Sequence, residues 1–290
     1  MYKQLSCDNN YRMKIAFVGK GGSGKSSVSW LAVKTIENIG NFVLAVDADH
    51  NMDLTSNLGL DPGTTPLMHK TERGFMEAIG LSEDGKLSGI LDKDMSALPS
   101  FTVNPQDVYT SSIVTKVSDR VSLINIGLGS PDVMFSGKCA HGLSGPLKYY
   151  LGLLDEKDDF VVIDSVAGAD MLNYGLYSGV DAVIGVVEPH RNSIKVFEQI
   201  QDICRKSLIP CFTIINKPTA NDFYTQFVSK NSKIILGEIS FDEGVMNYDY
   251  AKVKEGTKKE MTMVLEKVKQ LRKRGNLSTI KDFQEMKSSK

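Results

Sequence analysis

Eight residues constrain this chain more than any others: Gly19-Lys20-Gly21-Gly22-Ser23-Gly24-Lys25-Ser26. They fit G-x-x-x-x-G-K-[ST] at every fixed position. An apolar run, 13–18, precedes them, and a stretch of helical character, 25–39, follows and stops at Gly40. Glycines in such a loop let consecutive backbone N–H groups turn inward around phosphate oxygens. The helix that starts there adds the positive end of its dipole. Lys25 is placed to reach the β- and γ-phosphates of a nucleotide. Ser26 offers its hydroxyl to Mg²⁺, which prefers oxygen ligands and phosphates. Gly21, Gly22, Ser23, Gly24 and Ser27 complete the candidate nucleotide-binding loop.

Beyond the loop, buried strands are expected at 42–46, 121–126, 160–163, 182–187, 211–215 and 233–239. Helices are expected at 143–154, 192–206 and 257–274. Continuous Val/Ile strands alternating with helices imply a parallel sheet covered on both faces. The expected fold is α/β: a single-domain P-loop NTPase with a mostly parallel, doubly wound sheet of about seven or eight strands. Residues 1–12 read as a leader and 13–290 as the ATPase domain, with an irregular excursion at the sheet rim over 61–106.

Several acids close expected strands, where ligands bind in an open α/β sheet. Asp47-Ala48-Asp49 ends the second strand and Asp53 follows four residues later. Hydrolysis needs a group that holds the attacking water, and magnesium needs carboxylates nearby. Capping of the next turn is the alternative reading of these acids. Phe160-Val-Val-Ile-Asp164 is an apolar strand ending in an acid that would hold the magnesium shell. Ser165-Val-Ala-Gly168 then gives a second switch, and Gly168 accepts a backbone flip. At another strand end, Asn216 carries a donor and an acceptor for a purine edge. Thr219 stands where a guanine-reading N-K-x-D motif needs aspartate, so ATP is expected rather than GTP.

The loop K-G-G-x-G-K-S, with its early lysine Lys20, resembles that of the deviant Walker A ATPases, which include MinD, ParA and the nitrogenase iron protein. The resemblance implies a homodimer with ATP between the subunits, in which Lys20 contacts the nucleotide of the opposite protomer. A charge delivered only on assembly would gate hydrolysis as an arginine finger does. It also implies that Asp49 orients the attacking water, that Asp53 lies in the first switch, and that Asn216 and the segment around Asp242 border the adenine. Ser240 departs from the proline usual in relatives. Asp47 is expected to brace the loop and the waters around magnesium. Similar stretches at 15–27, 43–59, 161–168 and 186–193 point within this group to the CooC ATPases, which assist nickel insertion into carbon monoxide dehydrogenase. A client metalloenzyme is the implied partner.

Cys139-Ala140-His141 falls where CooC proteins carry Cys-x-Cys. Two copies would supply two sulfurs and two nitrogens, a tetrahedral set for interfacial zinc or nickel. A thiol beside an incidental histidine is the alternative. An iron–sulfur reductase fits less well, since Ala169-Asp170-Met171 holds no cysteine where the iron protein has one. Cys204 and Cys211 read as core residues. With 34 basic and 35 acidic residues, net charge −1, no global field argues for nucleic acid. No apolar run approaches the ~18 residues of a membrane span. Met261, Val264, Leu265, Val268 and Leu271 share one helical face. Packing on the sheet is expected for it, and membrane-surface binding is the sharper alternative. The absence of a secretory signal leads to an expected cytoplasmic location, without nucleic acid or stable membrane partners.

Overall fold

The computed structural model describes residues 13–82, 85–104, 106–127, 145–154, 159–169, 172, 175–271 and 275–288. Cys139, His141, Asp170 and Met171, and the proposed leader at 1–12, lie outside the described residues.

Eight strands form one sheet: β1 (Met13–Val18), β2 (Val43–Ala48), β3 (Val114–Lys116), β4 (Val121–Asn125), β5 (Phe160–Ser165), β6 (Ala182–Val187), β7 (Cys211–Asn216) and β8 (Ile235–Ile239). Their order is β3-β4-β2-β5-β1-β6-β7-β8. All pairings are parallel except β3 with β4. Side chains alternate across the sheet, as strand geometry requires. Ala16, Val18, Leu44, Val46, Val161 and Ile163 face one core. Met13, Ile15, Phe17, Val43, Ala45, Phe160 and Val162 face the other. The expected doubly wound α/β sheet is therefore present.

The second core is roofed by α1 (Lys25–Asn38), α2 (Asp53–Asn57) and α9 (Glu255–Lys269). The opposite face carries α3 (Glu72–Ala78), α4 (Val108–Ile113), α5 (Gly145–Leu153), α6 (Arg191–Lys206) and α10 (Leu277–Ser288). A smaller core joins α6 to α7 (Asp222–Asn231) through Phe197 and Phe227. A single-turn helix, α8 (Glu243–Met246), follows β8.

Several boundaries differ from expectation. β2 runs on through Asp47 to Ala48, because pairing with β5 continues through Asp47↔Asp164 and Ala48↔Ser165. β8 starts at Ile235, after a turn in which Ile234 N donates to Asn231 O at 2.9 Å. The expected helix over 257–274 is shorter at its end, and a further helix lies beyond it. α9 ends at Lys269, with Met261, Val264, Leu265 and Val268 buried against the sheet. α10 is new, and its apolar positions Leu277, Ile280 and Phe283 recur at helical spacing. Cys204 is buried on α6, whereas Cys211, at the start of β7, is only half-buried. No helix among the described residues is long and apolar enough to cross a membrane.

At the sheet end opposite the loop, Asp181 ties three segments together. Its carboxylate accepts from Lys14 N at 2.8 Å and Gly275 N at 2.9 Å. The fully buried Lys14 ammonium donates to the carbonyls of Leu151 and Gly275. Asp181→Ala leaves two buried N–H groups unsatisfied and is expected to cost about 2–4 kcal/mol. Urea denaturation measures the loss. Nucleotide affinity of the folded variant is expected to be unchanged, since the loop is at the other sheet edge.

Candidate functional site

The loop leaves the C-terminal end of β1 and enters α1 at Lys25. Gly24 has φ +83°, and a Cβ there would meet the Asn216 side-chain nitrogen at 2.3 Å. Glycine is needed at this position for its conformation and for the close approach. The Asn216 amide donates to Ser23 O at 2.8 Å, so the end of β7 holds the loop in shape. Ser23 N donates to Lys20 O at 3.1 Å, tightening the turn. Gly168 N donates to Gly19 O at 2.9 Å, joining the segment after β5 to the loop. Gly168 itself has φ +89°.

β5 lies between β1 and β2, so the ends of these strands converge. Register places Asp164 opposite both Phe17 on β1 and Asp47 on β2. Both carboxylates are completely buried. Burial pushes the Asp164 carboxyl up to about 7; the Asp47 charge adds to the rise, and Ser26, Lys25 and Ser29 oppose it. Burial likewise raises Asp47 to about 6 against its hydrogen bonds, with a smaller push from Asp49. Two like charges this close do not ionise independently in a low-dielectric site.

Their hydrogen bonding differs. Asp47 accepts from Thr55 N at 2.8 Å, Thr55 Oγ1 at 2.7 Å and Asp49 N at 3.2 Å. It braces the turn that leads into α2. Asp164 accepts from Ser29 Oγ at 3.0 Å through Oδ1. Its Oδ2 is buried and has no hydrogen-bond partner, and the same is true of the Ser23 hydroxyl. Buried orphan polar atoms are costly and call for a ligand or water. Lys25 is buried, 6% exposed, and its charge acts on Asp164.

Asp49 is nearly buried and accepts from Asn51 N at 3.1 Å. Met52 then takes φ +52°, an uncommon conformation for a non-glycine residue, and starts α2. Asp53 lies exposed in the first turn of α2. Lys20 is half-buried, with Nζ donating to Gly21 O at 3.0 Å. The site thus gathers Lys25, Ser26, Asp47 and Asp164, with Asp49 alongside; Asp53 and Lys20 stand at its open side.

A cleft of about 120 Å³ borders the loop, lined by Gly24, Ser27, Asn216, Phe241, Val245 and Met246 among others. Asp242 also lines it, yet its carboxylate caps the wall. It accepts from Gly244 N at 2.8 Å, Lys254 N at 3.0 Å and Thr257 Oγ1 at 2.8 Å. Asp242 therefore shapes the wall of the cleft.

Sequence reasoning missed three contributors. Ser29 lies one helical turn after Ser26, so the 3.6-residue period could have found it. Thr55 and Asn125 carry no motif. The Asn125 amide donates to Thr55 Oγ1 at 3.4 Å and Thr65 Oγ1 at 3.3 Å, linking β4 to the segment around α2. Among the described residues, no group of three or more His, Cys, Asp or Glu side chains could hold a metal ion. Two carboxylates with a serine hydroxyl still suit a Mg²⁺ that takes its remaining ligands from phosphate and water.

No family model matches the chain. It is 28% identical over 231 residues to an uncharacterized ATP-binding protein of Methanocaldococcus jannaschii, MJ0084, covering 77% of this chain and 87% of that one. It is 26% identical over 246 residues to the carbon monoxide dehydrogenase accessory protein CooC of Rhodospirillum rubrum, covering 82% and 88%. Among solved structures it is similar to septum site-determining protein MinD complexed with Mg-ADP from Pyrococcus horikoshii. That likeness has a TM-score of 0.58 at 16% identity and covers 90% of this chain and 97% of that one. The chain has the fold of the MinD and ParA P-loop ATPases, and its sequence resembles CooC.

The raised carboxylates make a stability statement with a definite sign. A carboxyl that holds its proton more tightly folded than unfolded stabilises the fold at low pH. That contribution is lost as pH rises from about 4 through about 7. Asp164→Asn is therefore expected to raise ligand-free stability by about 1–3 kcal/mol at pH 8. At pH 4 the gain is expected to vanish. Thermal denaturation at the two pH values reads the difference.

Proposed function

We propose that this chain is a Mg²⁺-dependent ATPase that closes as a homodimer around its nucleotide. We further propose that it acts in the cytoplasm as a CooC-like maturation factor, assisting nickel insertion into a metalloenzyme such as carbon monoxide dehydrogenase. One observation carries the reading. A complete phosphate loop with a second lysine, Lys20, at its open rim stands beside a buried carboxylate that has an unpartnered oxygen. The similarity to CooC along 82% of the chain supports the maturation role. In this reading residues 13–290 form the ATPase unit and 1–12 its leader.

The residues present fit Mg²⁺ and a triphosphate. The Ser26 hydroxyl and Asp164, directly or through water, hold the cation. Asp47 fixes the turn beside it, and Asp53 reaches the hydrated edge. A Mg²⁺ held there would supply positive charge against the charge of the triphosphate. Loop N–H groups and Lys25 stabilise the β- and γ-phosphate oxygens. Asp49 holds the attacking water in line. Lys20 of each protomer supplies charge to the partner's triphosphate, so turnover waits on assembly. The Asn216 oxygen remains free to accept from the adenine amino group, while its nitrogen keeps the loop in shape. Cys139 and His141 from two protomers provide a set for transient zinc or nickel, the cargo in this reading.

Lys20→Ala is expected to abolish ATP-induced dimerisation and to lower phosphate release by about 10³-fold. Monomeric nucleotide binding is expected to be retained. Light scattering with ATP and a phosphate-release assay check both. Unchanged pairing and turnover would leave only a generic nucleotide binder. Lys25→Ala should lose nucleotide binding itself, read by calorimetry. For the cargo, element analysis of anaerobically purified wild type against Cys139→Ser should show less zinc or nickel in the variant. Equal content removes the metal role.

A further inference from the structure

Tyr248 is held in an unusual conformation beside the loop. Its φ is +54°, the left-handed region. It follows α8 at the position where helices ordinarily end on glycine. Tyr248 N donates to Val245 O at 3.3 Å, and Asp249 N donates to Gly244 O at 2.9 Å. Those two bonds are the helix-terminating pattern that places its left-handed residue at Tyr248. Glycine or asparagine would meet this backbone demand with less strain. A side chain kept at a strained position points to a role for that side chain.

Where the side chain goes gives the role. The Tyr248 hydroxyl lies 3.3 Å from Ser27 Oγ. Its ring meets Trp30 edge-on, with centroids 5.5 Å apart and planes at 78°. Trp30 is buried on α1, so the Tyr248 ring has a fixed support. Tyr248 itself is 37% exposed, open to a ligand. Ser27 belongs both to the loop and to the cleft walled by Phe241, Val245 and Met246. A nucleotide with its phosphates in the loop and its base in the cleft must pass Ser27. The part that passes is the ribose and the phosphate attached to it.

We infer that Tyr248 is a nucleotide-binding residue, its hydroxyl joining that of Ser27 on the ribose. The inference rests on the nucleotide-binding reading given above. It assigns Tyr248 to the part of the ligand shared by ATP and ADP and missing from inorganic polyphosphate. A phenol is a donor as well as an acceptor, so it can replace its Ser27 contact with one to a ribose hydroxyl.

The test compares wild type and Tyr248→Phe by calorimetry with Mg²⁺ and three probes: ADP, a non-hydrolysable ATP analogue and inorganic tripolyphosphate. Tyr248→Phe keeps the ring against Trp30, and its melting temperature should match wild type. Its affinity for both nucleotides should fall about tenfold, with tripolyphosphate affinity unchanged. Nucleotide affinity equal to wild type would overturn the inference. So would an equal loss for tripolyphosphate, which would make Tyr248 a brace for the loop. If wild type bound neither nucleotide, the nucleotide reading itself would fail, an outcome separate from the other two.

Discussion

Asp47 and Asp164 face each other across neighbouring parallel strands, both out of reach of water. Two carboxylates in that position repel, and burial penalises each charge further. The fold accommodates them unequally. Asp47 is saturated by Thr55 and the Asp49 amide, whereas Asp164 keeps one oxygen without a partner. The rest of the site is arranged around that imbalance. Lys25 brings positive charge from the first turn of α1, and the helix start adds its dipole. The unpartnered Asp164 oxygen is the one carboxylate oxygen of the pair that is buried without a hydrogen bond.

Strand order creates this arrangement. With β5 inserted between β1 and β2, three strand ends meet at one edge of the sheet. The loop after β1, the turn after β2 and the segment after β5 are then neighbours. Two hydrogen bonds show how short the connections are. Gly168 N reaches the carbonyl of Gly19, and Thr55 reaches back to Asp47. The first joins the segment after β5 to the loop after β1, and the second closes the turn after β2.

Much of this was legible in the residues. The loop announced itself because its chemistry is local: glycines, a lysine and a hydroxyl at fixed spacing. The buried strands read clearly because a parallel sheet covered on both sides needs unbroken apolar runs. β3 escaped notice because a three-residue edge strand, Val114–Lys116, has no room for a pattern. α7 and α10 were missed behind polar sequence, and only capping by Asn221 marks the start of the former. Asp242 was read as a base-site residue from its place in the chain. Its commitment to Gly244, Lys254 and Thr257 depends on a turn that folds back over a dozen residues. Thr55, Asn125 and Tyr248 were invisible for the same reason: their partners are distant in sequence, and no short spacing encodes them.

α10 packs against the segment that follows β5. A Cβ on Gly175 would stand 2.3 Å from the ring of Phe283, so the two are in tight contact. Gly175 lies only a few residues beyond Gly168, whose amide holds the loop. α10 is therefore a wedge behind the stretch that leads away from the loop-holding Gly168. An affinity tag fused to this terminus, or a chain shortened for expression, would disturb the wedge before it disturbed the sheet. Handling of the tail is thus a matter of enzymology as much as of purification.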